Sequence, residues 1–431
     1  MKKLILSIVS FGILFATQIV AQQRIYVCEG FRYDVHEVRS TDDIVFSADG
    51  LELSIGDLDT YELDDIDSIT FAEPQFPRVD IRFDGASATV NVGVGVKGVT
   101  YKIQGANVAL TSTTMSEEYL YSVSGTSTNG SLVINGEYKL SVELAGLTLT
   151  NPNGPAIDVE CGKRIGVILK EGTVNTLADG KGGTHKGAFY TEGHPEFEGG
   201  GTLNVTGNTK HAICAREYLQ FKKSTGAVNI LGAVSDGIHC GKGKKNDDNS
   251  YFQINGGVIT VNNAGSDCID ADDYGCMIIK GGVLNLNVTA SDGTGLKCDS
   301  VIYMTGGDVN IHVNAPLSEG IRTNYAAYFD GGNISMDIKA DGTKGIRAKR
   351  CSKTTDTVLN GGFLYFRGTN VNMNISGKTY AADATDCVGI RADRDLTQTA
   401  GDITLTVTST DATPLVVKGT ENRTGGTLVV K

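Results

Sequence analysis

Four turns along the chain hold an acid between a serine and a small residue. They are Ser235-Asp236-Gly237, Ser266-Asp267-Cys268, Ser291-Asp292-Gly293 and Ser318-Glu319-Gly320. One such acid needs no explanation beyond its turn, because aspartate bonds its own backbone there. A recurring row is different. Carboxylates stacked about 5 Å apart repel by roughly 3 kcal/mol at an effective dielectric near 20. A hard cation relieves that repulsion, and calcium suits carboxylate, carbonyl and water ligands in flexible geometry. More acids cluster beside the row, so the candidate ligands are Asp236, Asp267, Asp270, Asp272, Asp292 and Asp299, with Asp247, Asp248 and Asp273 nearby.

A second row lies close to the first. His239, Asp270, Lys297, Arg322, Arg347 and Arg391 each follow an apolar residue in the same local pattern. Four cations among them suit a groove for an anionic polymer, because guanidinium groups bind carboxylates bidentately. The alternative is charge balance with the neighbouring acids on a solvated face. The candidate ligand-binding residues are Lys297, Arg322, Arg347, Arg391 and His239.

Other motifs carry little. Gly93-Val94-Gly95-Val96-Lys97-Gly98 fits a dinucleotide fingerprint but lies in alternating strand sequence with no following helix. The glycine–lysine pairs in Gly241–Lys245 lack the Ser or Thr of a P-loop. His185, His194 and His211 show no metal-ligand spacing, and no nucleophile motif appears. The nine cysteines include no CxxC pair, which removes support for a zinc or redox motif.

The elements that must position these rows are short strands in a repeat. Glycine is 55 of 431 residues, about twice the usual 7% share. Turns begin at Glu171, Gly200, Thr225, Gly256, Gly281, Gly306, Gly331, Gly361, Ala400 and Gly425, often 25 residues apart. An apolar anchor runs in phase at Ile213, Ile238, Ile269, Leu296, Ile321, Ile346, Ile390 and Leu415. A period of this size means a solenoid.

Strand alternation fills each coil. Val174, Leu203, Val228, Ile259, Leu284, Val309, Ile334, Leu364, Ile403 and Leu428 are expected to point inward. Asn175, Asn204, Asn229, Thr260, Asn285, Asn310, Ser335 and Thr404 are expected to form an outward polar row. Two residues past the second anchor stand Ala215, Cys240, Ala271, Cys298, Thr323, Ala348 and Ala392, a small inward row. Cys240 and Cys298 are then core residues. The expected fold is all-β: a right-handed parallel β-helix with coils of about 25 residues, preceded by a small N-terminal β segment.

The ends and the charge set the context. Lys2 and Lys3 precede the apolar stretch Leu4–Phe15, too short to span a bilayer, and Ile19-Val20-Ala21 offers a cut site. Residues 1–21 therefore read as a signal peptide, 22–75 as the small segment and 76–431 as the solenoid. Ile66–Phe71 resembles short segments on exported Bacteroidetes proteins. The chain is expected to be exported, to the periplasm, the cell surface or beyond, with no membrane span. A net charge of −12 argues against nucleic acid.

Several stretches together resemble a known family. They are Asn175-Thr176-Leu177-Ala178-Asp179-Gly180, Lys186-Gly187-Ala188-Phe189-Tyr190, Gly200-Gly201-Thr202-Leu203-Asn204-Val205, Gly146–Asn151 and Gly154–Ile157. Their order, with the later Ser-Asp-Gly-Ile and Gly-Gly turns, resembles the calcium-binding, polysaccharide-binding β-helix family typified by a cellulolytic clostridial protein. The likeness covers roughly residues 100–430. It implies a parallel β-helix that binds calcium and plant-type polysaccharides, with structural kinship to polysaccharide lyases. Asp236, Asp267 and Asp292 match its repeated Asp-Gly-Ile-like turns, while Cys268 and Thr294-Gly295 depart from them. The function expected is non-catalytic, calcium-assisted binding of an acidic (polygalacturonate-like) or cellulose-like polysaccharide. A calcium-dependent lyase using Lys297 or Arg322 as base is one alternative, and a structural surface adhesin is another.

Overall fold

The computed structural model describes residues 23–431, apart from 39–43, 48–50, 57–58, 64–65, 75, 181, 242–250, 273–274 and 351–360. The expected signal peptide over 1–21 lies outside the described residues, as do Asp247, Asp248 and Asp273. The described residues form 43 strands and no helix. None of the described elements is a helix long and apolar enough to cross a membrane.

Two compact units divide the chain at Pro77/Arg78. In the first, Gln23–Glu29 pairs antiparallel with Arg32–Val38 and Ser68–Thr70. Ile44–Phe46, Glu52–Ile55 and Asp59–Glu62 form a second antiparallel sheet. Ile25, Val27, Leu53 and Ile55 make its small core.

The second unit is a solenoid of stacked parallel strands. One coil contributes Thr294–Cys298, Val301–Met304 and Asp308–Val313, and each pairs in parallel with its counterpart in the next coil. Stacking builds a 13-stranded sheet on one side and a longer sheet that wraps the others. The first coil is closed by antiparallel strands, Ser87–Val92 against Arg78–Asp84 and Val99–Gln104 against Ala106–Ser112. Closure of this kind covers a strand edge that would otherwise invite pairing.

Rows of identical register fill the interior. The anchor Ile213 stacks on Ile238, Ile269, Leu296, Ile321, Ile346, Ile390 and Leu415. Ala215, Cys240, Ala271, Cys298, Thr323, Ala348 and Ala392 stack behind them, all buried. Each fully buried aliphatic side chain contributes about 1.5–3 kcal/mol of hydrophobic stabilisation. The Gly-Gly turns meet a backbone requirement. Gly282 has φ +78°, and a Cβ there would lie 2.9 Å from the backbone of Gly256.

The outward asparagine row forms side-chain ladder bonds at two steps. Asn229 donates to Asn204 and Asn310 to Asn285, each at 3.0 Å. Two register expectations are corrected. Val174 is 61% exposed, and Asn175 is fully buried opposite Leu203. The Asn175 carboxamide accepts from the backbone of Gly146 and Leu147, so one turn is a residue longer than the repeat suggests. Leu364 belongs to the strand Phe363–Arg367, on a different side of the coil. Val371 takes the place expected for Leu364, stacked between Ile334 and Ile403. A Gly-Gly pair precedes both kinds of strand, which is why the motif alone misplaces this one.

Candidate functional site: an interleaved ladder of charges

The outer face of the 13-stranded sheet carries the charged residues. Backbone pairing places His239 on Asp270, then Lys297, Arg322, Arg347 and Arg391 in one continuous row. The anchors point inward, so strand alternation turns this row outward. A second row stands three residues earlier in the chain: His211, Asp236, Asp267, Thr294, Glu319 and Lys344. All six are buried. A third row, three residues beyond the anchors, holds Asp272, Asp299, Asn324 and Asp393.

The acids and bases of these rows interdigitate. Lys297 Nζ lies 3.0 Å from an oxygen of both Asp267 and Asp270. His211 Nδ1 lies 3.1 Å from Asp236 Oδ2, and His239 Nδ1 lies 3.3 Å from the same oxygen and 3.6 Å from Asp270. Arg347 bridges Glu319 at 2.8 Å and Asp393 at 3.2 Å, and Arg391 reaches Asp393 at 2.8 Å. Arg322 comes within only 3.6 Å of Glu319, and its buried Nε makes no hydrogen bond.

Proton affinities follow this geometry. Burial works to raise Asp236, but the close imidazoles of His211 and His239 outweigh it and hold the carboxyl well below its usual range. Burial opposes a charged His239, yet Asp236 and Asp270 win and raise it to about 9. Lys297 is likewise held well above the usual lysine range by Asp270 and Asp267, against burial. Asp299 is pushed up to about 6 by burial and by the hydrogen-bonded carboxyl of Asp272. Burial and the charge of Arg347 lower Lys344.

The six acids expected to hold metal do not form one group. Asp236, Asp267 and Asp270 converge, with one oxygen of each within 4.8 Å of the others. Their repulsion is already met by Lys297 and His239. Asp272 and Asp299 form a separate carboxyl pair, joined by Asn324, which donates to Asp299 at 2.8 Å. Asn324 Oδ1 is buried and makes no hydrogen bond. Asp292 leaves the row. Thr294 pairs with Glu319 in its place, and Asp292 sits in the turn before it with φ +60°. Two extra residues lengthen that coil, which a match on Ser-Asp-Gly cannot register.

The face also includes residues that the motif search passed over. His211 shows no metal-ligand spacing in sequence, yet it stands in the row of Asp236 and Asp267. Its position two residues before the anchor Ile213 is the signal that finds it. Asp393, Asn324 and Lys344 follow from the same counting.

Charge is distributed unevenly along the row. Around Asp236, Asp267, Asp270, Asp272 and Asp299, acids outnumber bases. From Arg322 to Arg391, with Lys344, bases outnumber Glu319 and Asp393. One end suits a cation and the other an anion.

A family model described as carbohydrate-binding domain-containing protein matches residues 104–430. A solved structure described as the polysaccharide lyase-like protein from C. thermocellum, a gadolinium derivative, is 16% identical with a TM-score of 0.34. That alignment covers 81% of this chain and 99% of the other, a likeness too loose to carry a functional argument. No curated protein matches the chain. Across most of the residues that build the solenoid, the chain belongs to the family of carbohydrate-binding domain-containing proteins.

Proposed function

We propose that the chain binds an acidic, polygalacturonate-like polysaccharide along the outer face of the 13-stranded sheet and does not cleave it. The carrying observation is the surplus of cations between Arg322 and Arg391, where Arg322 meets Glu319 only at 3.6 Å and its Nε makes no hydrogen bond. Guanidinium groups repeated once per coil suit carboxylates repeated along a sugar chain. Lys297 does not suit the role of lyase base, because Asp267 and Asp270 keep its amine protonated. The coil is taken as right-handed, the hand that parallel crossover connections adopt. Export, as the first 21 residues suggest, would bring the protein to such a polymer.

Calcium fits best beside Asp272 and Asp299. That pair shares a hydrogen bond, Asp299 is raised to about 6, and Asn324 Oδ1 is a spare oxygen. A hard dication there would replace the shared proton and neutralise both carboxylates. The Asp236, Asp267 and Asp270 triad suits calcium less, since an ammonium already lies between two of its members.

The test is calorimetry of polygalacturonate binding by the native chain and by the double variant Arg322→Glu, Arg347→Glu. Binding should weaken at least about tenfold in the variant and fall with salt, since exposed charges are screened within about 10 Å at 0.1 M. Equal affinities with folding intact would move the binding face elsewhere. Release of a 4,5-unsaturated uronide would replace binding with lyase action.

A further inference from the structure

We propose that His211, His239 and Asp236, with Asp270 as fourth ligand, form a site for a borderline d-block dication of the zinc class. The reading is independent of the sugar-binding face and of calcium at Asp272 and Asp299.

One ligand atom from each of His211, Asp236 and His239 lies within 4.8 Å of the others. Three elements supply them: the strand His211–Ala215, the turn before Ile238–Cys240, and that strand itself. The two imidazoles lie nearly parallel, with ring centroids 4.4 Å apart, and both present Nδ1 to Asp236 Oδ2. His211 is 2% exposed, and Nδ1 of each histidine is buried without a hydrogen bond. Asp270 is also buried, with Oδ1 unpartnered and Oδ2 3.6 Å from His239 Nδ1.

Two features set the class of ion. Nitrogen ligands favour zinc, copper or nickel over calcium, which prefers an all-oxygen shell. Charge points the same way. An ion bound through the two Nδ1 atoms takes the place of the proton on His239; Asp236, Asp267 and Asp270 then face Lys297 alone, a surplus of two negative charges that a dication cancels. Lys297 holds Asp267 and the Oδ2 side of Asp270, while the two Nδ1 atoms meet only the Asp236 and Asp270 carboxylates, without hydrogen-bond geometry, and Asp270 Oδ1 has no partner. The remaining contacts of Asp236, from Ser235 Oγ at 3.3 Å and the Asp267 backbone N–H at 3.2 Å, both fall on Oδ1 and leave Oδ2 to the site. Zinc commonly takes four such nitrogen and oxygen ligands in tetrahedral array.

The experiment uses the full chain, stripped with chelator, titrated with Zn2+ and desalted. One zinc per chain should remain by elemental analysis, and a large excess of Ca2+ should not displace it. His211→Ala and His239→Ala should each weaken zinc by about 100-fold, at or beyond the upper end of what losing an outer-shell partner costs. Asp299→Asn should leave zinc unchanged, while it removes any calcium effect. Zinc retained at native level by the folded histidine variants, or displaced by Ca2+, overturns the site. Should those variants unfold, Co2+ on the native chain decides. Intense visible bands without thiolate charge transfer support a tetrahedral nitrogen–oxygen site, and a weak octahedral spectrum overturns it.

Discussion

Lys297 Nζ sits 3.0 Å from Asp267, in the neighbouring row of side chains, as well as 3.0 Å from its own row neighbour Asp270. The ammonium therefore stands where the sequence alone suggests a metal ion. Lys297→Met removes it and leaves two buried carboxylates facing each other. Breaking a buried pair costs about 3–5 kcal/mol, and partial exposure of the lysine reduces this to about 2–3 kcal/mol. Millimolar Ca2+ should recover part of the loss in the variant and little in the native chain. Melting curves of both proteins with and without Ca2+ check this. An unchanged melting temperature in Lys297→Met would show that the pair does not matter to stability.

The Asp272–Asp299 pair should make stability fall with rising pH. Asp299 is raised to about 6 from an ordinary 3.8. The folded chain thus holds a proton between those values that the unfolded chain has released, and stability drops across pH 4 to 6. Asp299→Asn should raise calcium-free stability at pH 7 by about 1–2 kcal/mol and flatten that slope. Urea titrations at several pH values measure it. A native-like slope in Asp299→Asn would assign the titration to another group.

Asp393 should act in the opposite sense. Burial works to raise it, but Arg391, Arg347 and Lys418 outweigh burial and lower it to about 2. Its contribution is complete above its ordinary pKa of 3.8 and disappears as pH falls toward 2. Asp393→Asn should cost about 1–2 kcal/mol at neutral pH after allowance for solvent screening. The gap between variant and native should close below pH 3. A gap that persists at low pH would point to lost packing rather than lost charge.

Cys240 and Cys298 are buried in the row of small inward residues, and burial pushes both thiols well above their ordinary range. Cys240→Ala and Cys298→Ala should each cost about 1 kcal/mol as small core truncations. A thiol reagent should label neither residue until the chain unfolds. Rapid labelling of the native protein, or a disulfide mapped to either position, would contradict the buried row.

Period and alternation were enough to assign most rows. Arg322 and Arg347 stand 25 residues apart, one coil length, so parallel pairing had to stack them. The same counting put Cys240 and Cys298 inside and His239 and Arg391 outside. It failed where a turn changed length. Asn175 moved inward, Val371 replaced Leu364, and two extra residues took Asp292 out of the acid row. A turn motif reports that the chain bends but not how many residues the bend consumes.

Which charges meet was decided by tertiary structure. Asp267 and Lys297 lie in different rows and different coils, 30 residues apart. Their contact depends on how coils stack and which way each side chain leans, and periodicity is silent on both. His211 shows the same division. Its distance from the anchor Ile213 gives its row, but only the stacking of one coil on the next brings its ring against His239 and its nitrogen to Asp236. Sequence determined membership of each row because coil length is constant along most of the solenoid. The fold decided partnership because electrostatic contacts form diagonally between rows, across sequence separations that no local pattern spans.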